Sequence, residues 1–266
     1  MPDLRSILDR FARGAITFEE AQKEIAMHSI ERIGDIAKLD VGREVRKGLP
    51  EIVFAERKEY ADTLKIAEAA ARRNGSVVVS RIKKQELKKL VQALKRKGLQ
   101  VEAGKNSTTI LVSFSTNEEA RKAGRQEARK EGTVGIMAAG TSDVGIAEEA
   151  RLVAEAMGCK VVTSYDVGIA GMHRLFPALK DMLGQKVGAI VVVAGMEGAL
   201  ASVVASMVDV PVVGVPASVG YGFGGEGIAA LASMLQSCTL GLAVVNIDNG
   251  VGAGAFAASI AKRARQ

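Results

Sequence analysis

The spacing of apolar residues divides the chain into two stretches with different rhythms. Leu4, Ile7, Leu8 and Phe11 fall on one helical face, and helical spacing continues as far as Leu39. Thr17-Phe18-Glu19-Glu20 sets a hydroxyl three residues ahead of an acid, a capping box that opens a second helix. These segments predict an N-terminal helical arm, residues 1–40, marginal alone and suited to an oligomer contact. Glu51–Ala55 predicts a short strand, Glu59–Arg73 a helix, Ser76–Ser80 a strand, and Lys83–Lys97 an amphipathic helix with Leu87, Leu90, Val91 and Leu94 on one face. Its lysines form a solvated face or, as the alternative, a phosphate contact. Strands near Leu99–Ala103 and Thr108–Ser113 complete a small α/β domain over residues 41–115, and Ser115-Thr116-Asn117-Glu118-Glu119 predicts a domain junction with a helix cap.

From Thr133 the rhythm changes. Val134–Ala138, Lys160–Thr163, Ala189–Val193, Val210–Val215 and Leu242–Ile247 are nearly continuous runs of aliphatic residues separated by helical segments. That alternation predicts a parallel sheet covered by helices on both faces, a catalytic α/β domain over residues 116–266. Ligands of such sheets sit beyond the carboxyl ends of the strands. Here every strand ends in a glycine-rich or polar turn (AAGTSD, TSYDVGIAGMHR, AGMEG, VPASVGYG, IDNGVGAG), and adjacent loops of this kind build one pocket.

Charge and composition narrow the partners. The chain is 266 residues with a formal net charge of +6. Through Glu131 there are 28 lysines and arginines against 20 acids, and from Gly132 the counts are 8 and 10. The basic excess is interleaved with acids, only 4% of residues are aromatic, and no nucleic-acid motif is present, so it reads as solvated helix faces. No apolar run predicts a membrane span or a signal peptide, and two cysteines do not make a disulfide framework. The expectation is a cytoplasmic protein with neither a nucleic-acid nor a membrane partner. Zinc-ligand spacing, a Walker lysine and a G-x-S-x-G elbow are all missing.

The strand-end loops carry the candidate chemistry. Thr141, Ser142 and Asp143 either cap the following helix or contact a ligand. Asp166, His173 and Arg174 stand together after the second strand, as candidates for acid–base or phosphate work; the other histidine, His28, lies in the N-terminal helices and is incidental. Glu197 follows an unbroken apolar strand, where an acid has little structural purpose. Asp248 and Asn249 end the last strand and either bind a metal, take a proton or shape the turn. Gly220, Gly222, Gly224, Gly225 and Gly227 crowd the entry to a helix that Cys238 closes. Cys159, ahead of the second strand, is packing. By position alone Cys238 is also a small buried hydrophobe, and the negative end of a helix dipole does not favour its thiolate.

The blocks RKGLPEIVFAE, GTSD, DVGIAGMHR, AGMEGALASVVA, SVGYG, SMLQSC and VNIDNGVGAG resemble the pyridinium-3,5-biscarboxylic acid mononucleotide synthase (LarB) family of nickel-pincer nucleotide biosynthesis. That family is related to aminoimidazole ribonucleotide carboxylase, and the resemblance runs from about Asp40 to the C-terminus. It implies a three-layer, flavodoxin-like catalytic domain after a small α/β domain and N-terminal helices. It also implies carboxylation of nicotinic acid adenine dinucleotide at C5 of the pyridinium ring, with hydrolysis of the phosphoanhydride to release AMP. Carbon dioxide or bicarbonate is the co-substrate, magnesium the expected ion, and a homo-oligomer, by resemblance an octamer, the expected assembly. Cys238 becomes the nucleophile, Glu197, His173 and Asp248 its catalytic company. Thr141, Ser142, Asp143, Asp166, Arg174, Gly198, Ser218, Gly220 and Asn249 become substrate contacts. The purine-pathway carboxylase is the alternative, but the strand-end histidine it uses is replaced by Gly198-Ala199-Leu200-Ala201. A nucleotide-binding module without chemistry is the other alternative, distinguished by whether Cys238 matters.

Overall fold

Valine and isoleucine resist helix formation and pack well on a pleated surface, and their runs in the second half form the central sheet. The computed structural model describes residues 4–27, 30–114 and 132–264; His28, the Ser115–Glu119 junction and Arg265 lie outside them. In chain order the elements are α1 (Leu4–Ala12), α2 (Phe18–Ala26), β1 (Ile30–Ile33), β2 (Ala37–Asp40), α3 (Arg43–Lys47), β3 (Glu51–Phe54), α4 (Tyr60–Asn74), β4 (Ser76–Ser80), α5 (Lys84–Arg96), β5 (Gln100–Ala103) and β6 (Ile110–Ser113). The second half contributes β7 (Thr133–Ala138), α6 (Val144–Ala156), β8 (Lys160–Tyr165), a 3₁₀ segment (Ile169–Arg174), α7 (Leu175–Gly184), β9 (Ala189–Ala194), α8 (Ala199–Met207), β10 (Val212–Pro216), α9 (Ile228–Leu235), β11 (Leu242–Val244) and α10 (Gly250–Arg263).

The sheet of the second half is five-stranded and parallel, in the order β11-β10-β9-β7-β8. This is the flavodoxin-like order, with its switch point between β7 and β9. The two-residue period of the strands sends alternate side chains to opposite faces. Val134, Ile136, Val191, Val193 and Val213 meet α6 and α10, whereas Met137, Ile190, Val192 and Val212 meet α7, α8 and α9. Helices α6 and α10 approach closely because a Cβ on Gly250 or Gly254 would lie 2.4 Å from the carbonyl oxygen of Ile146 or Ala150.

The smaller domain is a mixed sheet, β3-β4-β6-β5, with α4 and α5 on one face. Its other face is turned to the catalytic domain: Val78, fully buried, together with Ile52 and Leu111 joins the core built around α6. Helix α6 is therefore held between two sheets. The capping box at Thr17 forms, with both reciprocal hydrogen bonds present. The helical spacing read through Leu39 does not hold to its end. Residues 30–40 form the antiparallel hairpin β1–β2, because Ile33, Ala37 and Leu39 also suit a two-residue period and pack on the small-domain core, and Gly34, at φ +49°, turns the chain. The last strand stops at Val244 rather than Ile247.

Candidate active site

The loops that follow β7, β8, β9 and β10 meet in a cavity of about 420 Å³ at the carboxyl ends of the strands. Asp143 organises its floor. It stands at the N-cap position of α6, yet its side chain makes no cap; it accepts instead from the Gly140 N–H at 2.8 Å and from the Gly195 N–H. Two strand ends are thereby tied through one carboxylate. Burial is the main cause that raises its pKa above the ordinary value of 3.8, and the neighbouring Asp248 charge adds to it. Gly195 has to be glycine, since a Cβ there would stand 2.1 Å from the Val219 carbonyl oxygen. The wall continues through Ser142, Ile169, Glu197 and Tyr221. Glu197 is exposed to this space. Among the described residues, no lysine or arginine lines it.

A second, larger cavity of about 710 Å³ adjoins the first and lies between the domains. Ser142 and Val219 belong to both walls, so the two form one cleft with an inner and an outer lobe. Ser218 and Asp248 line the outer lobe from the catalytic domain, and the Ser218 N–H donates to Asp248 Oδ1 at 2.8 Å. Arg81, Lys83 and Lys84 line it from the small domain.

Two adjacent glutamates on α6 hold this arrangement together. Glu148 accepts from the Tyr165 hydroxyl at 2.6 Å, from Arg151 Nη2 at 2.9 Å and from the Lys105 N–H at 3.0 Å. Burial pushes its pKa up, but these donors outweigh burial and hold it below the ordinary range. Glu149 reaches across the boundary, accepting from the Ser80 hydroxyl and from Thr109 Oγ1, and also from the Val251 N–H at the start of α10. Its pKa is raised, with burial as the main cause. An acid whose folded pKa stands above its ordinary 4.5 binds its proton more tightly when folded. Its contribution to stability is thus complete below about pH 4.5 and is lost as pH rises through the folded value. Glu149→Gln removes the charge and keeps the shape. Its denaturant midpoint is expected to exceed wild type at pH 7, with the gap closing toward pH 4.5; an unchanged gap across that window would reject ionisation of Glu149 as the cause.

The other sequence-predicted residues divide. Gly220 lines the inner lobe. Asp166 and Arg174 pair with each other, both exposed, and neither they nor His173 are among the lining residues of either lobe. His173 is exposed on the 3₁₀ segment, whose start alone reaches the inner wall. Thr141 is exposed beside Ser142 and is likewise absent from both linings. Gly198 is a packing position, at φ +68° with Ala230 and Met234 against it. Asn249 caps α10, accepting from the Gly252 N–H at 2.8 Å. Cys159 is buried, as its position predicts.

Cys238 contradicts its reading as a buried hydrophobe: it is exposed. It also lies away from the cleft. Helix α9 ends at Leu235, before it, and Cys238 sits in the loop just ahead of Gly241, whose carbonyl accepts from the Val212 N–H at the amino end of β10. The cleft opens at the carboxyl ends. Parallel pairing of β10 with β11 thus turns the cysteine toward the opposite end of the sheet. The sequence reading missed the outer lobe. Its cations were legible as a lysine run, but not the fact that they face another domain's strand ends.

The order of the sheet, the clamp at Asp143 and the strand-end cleft define a flavodoxin-like α/β protein of the carboxylase type. Residues 133–266 match the AIR carboxylase family, and residues 30–113 match the LarB/PurE-like N-terminal domain. The chain belongs to the LarB family, related to AIR carboxylase, and a carboxylase-type function is what these domains support. It is similar to an uncharacterized protein of Methanocaldococcus jannaschii, MJ0165, at 44% identity over 263 residues, covering 98% of this chain and 97% of that protein. No helix among the described residues is long and apolar enough to cross a membrane.

Proposed function

We propose that this protein carboxylates the pyridinium ring of nicotinic acid adenine dinucleotide at C5 and hydrolyses the phosphoanhydride, giving pyridinium-3,5-biscarboxylic acid mononucleotide and AMP. The observation that carries this reading is the charge of the inner lobe. Asp143 and Glu197 line it, and among the described residues no cation does. Such a lobe favours a positively charged pyridinium ring over a neutral aminoimidazole.

A pyridinium ring is too electron-poor to attack carbon dioxide. Addition of the Cys238 thiolate to a ring carbon next to C5 converts the ring to an enamine, and C5 then forms its new bond to carbon dioxide. Glu197 takes the C5 proton, the carbon–sulfur bond breaks, and aromaticity returns with the thiolate released. Within one chain Cys238 does not reach the lobe, so the reading requires the cysteine of a neighbouring copy. Leu235 and Leu240, 66% and 90% exposed on either side of Cys238, offer the apolar surface that such a contact needs. Ser142 and Ser218 orient the phosphates at the junction of the lobes, where the anhydride is cleaved by water.

Magnesium fits in one role only. Among the described residues no three acids or histidines cluster to hold an ion. An ion carried by substrate phosphates needs only one or two protein carboxylates, and Asp248 would supply one on the outer wall. Bound there, the ion would neutralise phosphate charge.

The direct test is mass spectrometry of a reaction containing the dinucleotide, bicarbonate and magnesium. A dicarboxylated pyridinium mononucleotide plus AMP is expected. Turnover of an aminoimidazole ribonucleotide in its place would overturn the assignment.

A further inference from the structure

The outer lobe has a feature that the carboxylation chemistry leaves unused. Its catalytic-domain wall includes Ser142, Ser218 and the acids Glu149 and Asp248, whereas its opposite wall carries three cationic side chains from the small domain beside Glu56. Arg81 follows β4 at φ +56°, a left-handed conformation uncommon outside glycine, and that turn carries the chain over to α5. Its guanidinium lies 5.7 Å from the Phe54 ring centre and is only loosely paired with Glu56, at 3.4 Å with both partners exposed. Lys83 is 3.8 Å from Glu86, and Lys84 has no ion pair among the described residues. Helix α5 starts here without a side-chain cap, and Lys83 and Lys84 at its start both line the lobe.

We propose that this wall binds the phosphate of the second nucleotide, the adenylate half of the dinucleotide, with Arg81, Lys83 and Lys84 as its anion-binding residues. The inference rests on the dinucleotide reading above and extends it to a domain that the AIR carboxylase match, confined to residues 133–266, does not include. The lobes share Ser142 and Val219, so a ligand seated by its ring beside Glu197 continues into the outer lobe. Its diphosphate cannot settle against Asp143 and Glu197, and the cations that line the adjoining lobe stand on the small-domain wall, where Arg81 and Lys83 are held only by exposed or long ion pairs. Acids are present there too, but they are occupied or weakly placed. Glu149 accepts hydrogen bonds from Ser80 and Thr109, Asp248 accepts from the Ser218 N–H, and Glu56 is exposed. The small domain then serves as a specificity element: it selects a dinucleotide over a mononucleotide by holding the part that leaves.

Binding calorimetry with AMP and with nicotinic acid mononucleotide tests this without turnover. Wild type is expected to bind both. Arg81→Ala/Lys83→Ala/Lys84→Ala is expected to weaken AMP by about tenfold or more, because charge-assisted hydrogen bonds are lost, and to leave the mononucleotide within about twofold. Lys84→Glu, a change at one exposed side chain, is the second variant should the triple one not fold, and it is expected to act in the same direction. Equal AMP affinity in wild type and variants, equal weakening of both ligands, or no AMP binding by wild type would each overturn the proposal. If AMP binding is lost in the variants while wild type fails to turn over the dinucleotide, the anion site stands and the dinucleotide reaction falls.

Discussion

Cys238→Ala is expected to lower carboxylation of nicotinic acid adenine dinucleotide by at least about three orders of magnitude, because without the thiolate the ring never becomes nucleophilic. The melting temperature should stay near that of wild type, since the side chain is exposed and leaves no cavity. The sharper test concerns which copy supplies the thiol. Cys238→Ala and Glu197→Gln chains are each expected to be nearly inactive alone. Mixed and reassembled, they should recover up to about a quarter of wild-type activity, the share of sites that draw an intact glutamate from one chain and an intact cysteine from its neighbour. Absence of recovery in verified mixed assemblies would mean that Cys238 serves the cleft of its own chain, by a movement of residues 236–241. Full activity of Cys238→Ala would remove the covalent step altogether.

Glu197→Gln should separate binding from proton transfer. Its carboxylate lines the inner lobe at a position where the ring would lie, and a general base of this kind contributes about 10²- to 10⁴-fold. We expect kcat to fall by at least about 10², with KM changed far less. The thiolate can still add and carbon dioxide can still be captured, but the C5 proton stays, so the covalent adduct should accumulate. Intact-protein mass spectrometry would detect it as a mass increase that Cys238→Ala in the same chain abolishes. A raised KM with unchanged kcat would make Glu197 a binding group only.

These two residues show unequal legibility in the sequence. Glu197 was visible because an acid in the turn after the aliphatic strand Ala189–Ala194 has little structural purpose. Its place in the cleft follows from the parallel-sheet rule that loops after strands converge. Cys238 was recognisable only through resemblance. Its local pattern predicts burial, and what exposes it is the sharp return from α9 into β11, a tertiary path. Asp143 was open to two readings in the sequence, a helix cap or a ligand contact, and neither foresees that Gly140 and Gly195 offer it two donors from different strand ends. The hairpin β1–β2 was masked by helical spacing, since a few apolar residues satisfy both periods at once.

Local physics, readable along the chain, determined the strands of the central sheet, their parallel pairing, the helices between them and the end of the sheet at which a ligand sits. Periodicity and turn chemistry act between near neighbours, and near neighbours are what a sequence records. The tertiary structure decided the rest. It set the small domain's cations against the catalytic domain's loops, split the cleft into an acidic inner lobe and an outer one with cations on its small-domain wall, and turned Cys238 to the far end of the sheet. Each of these depends on packing between segments distant in sequence, above all on Val78, Glu148 and Glu149 fixing one domain on the other through α6. No pattern within either segment encodes that contact.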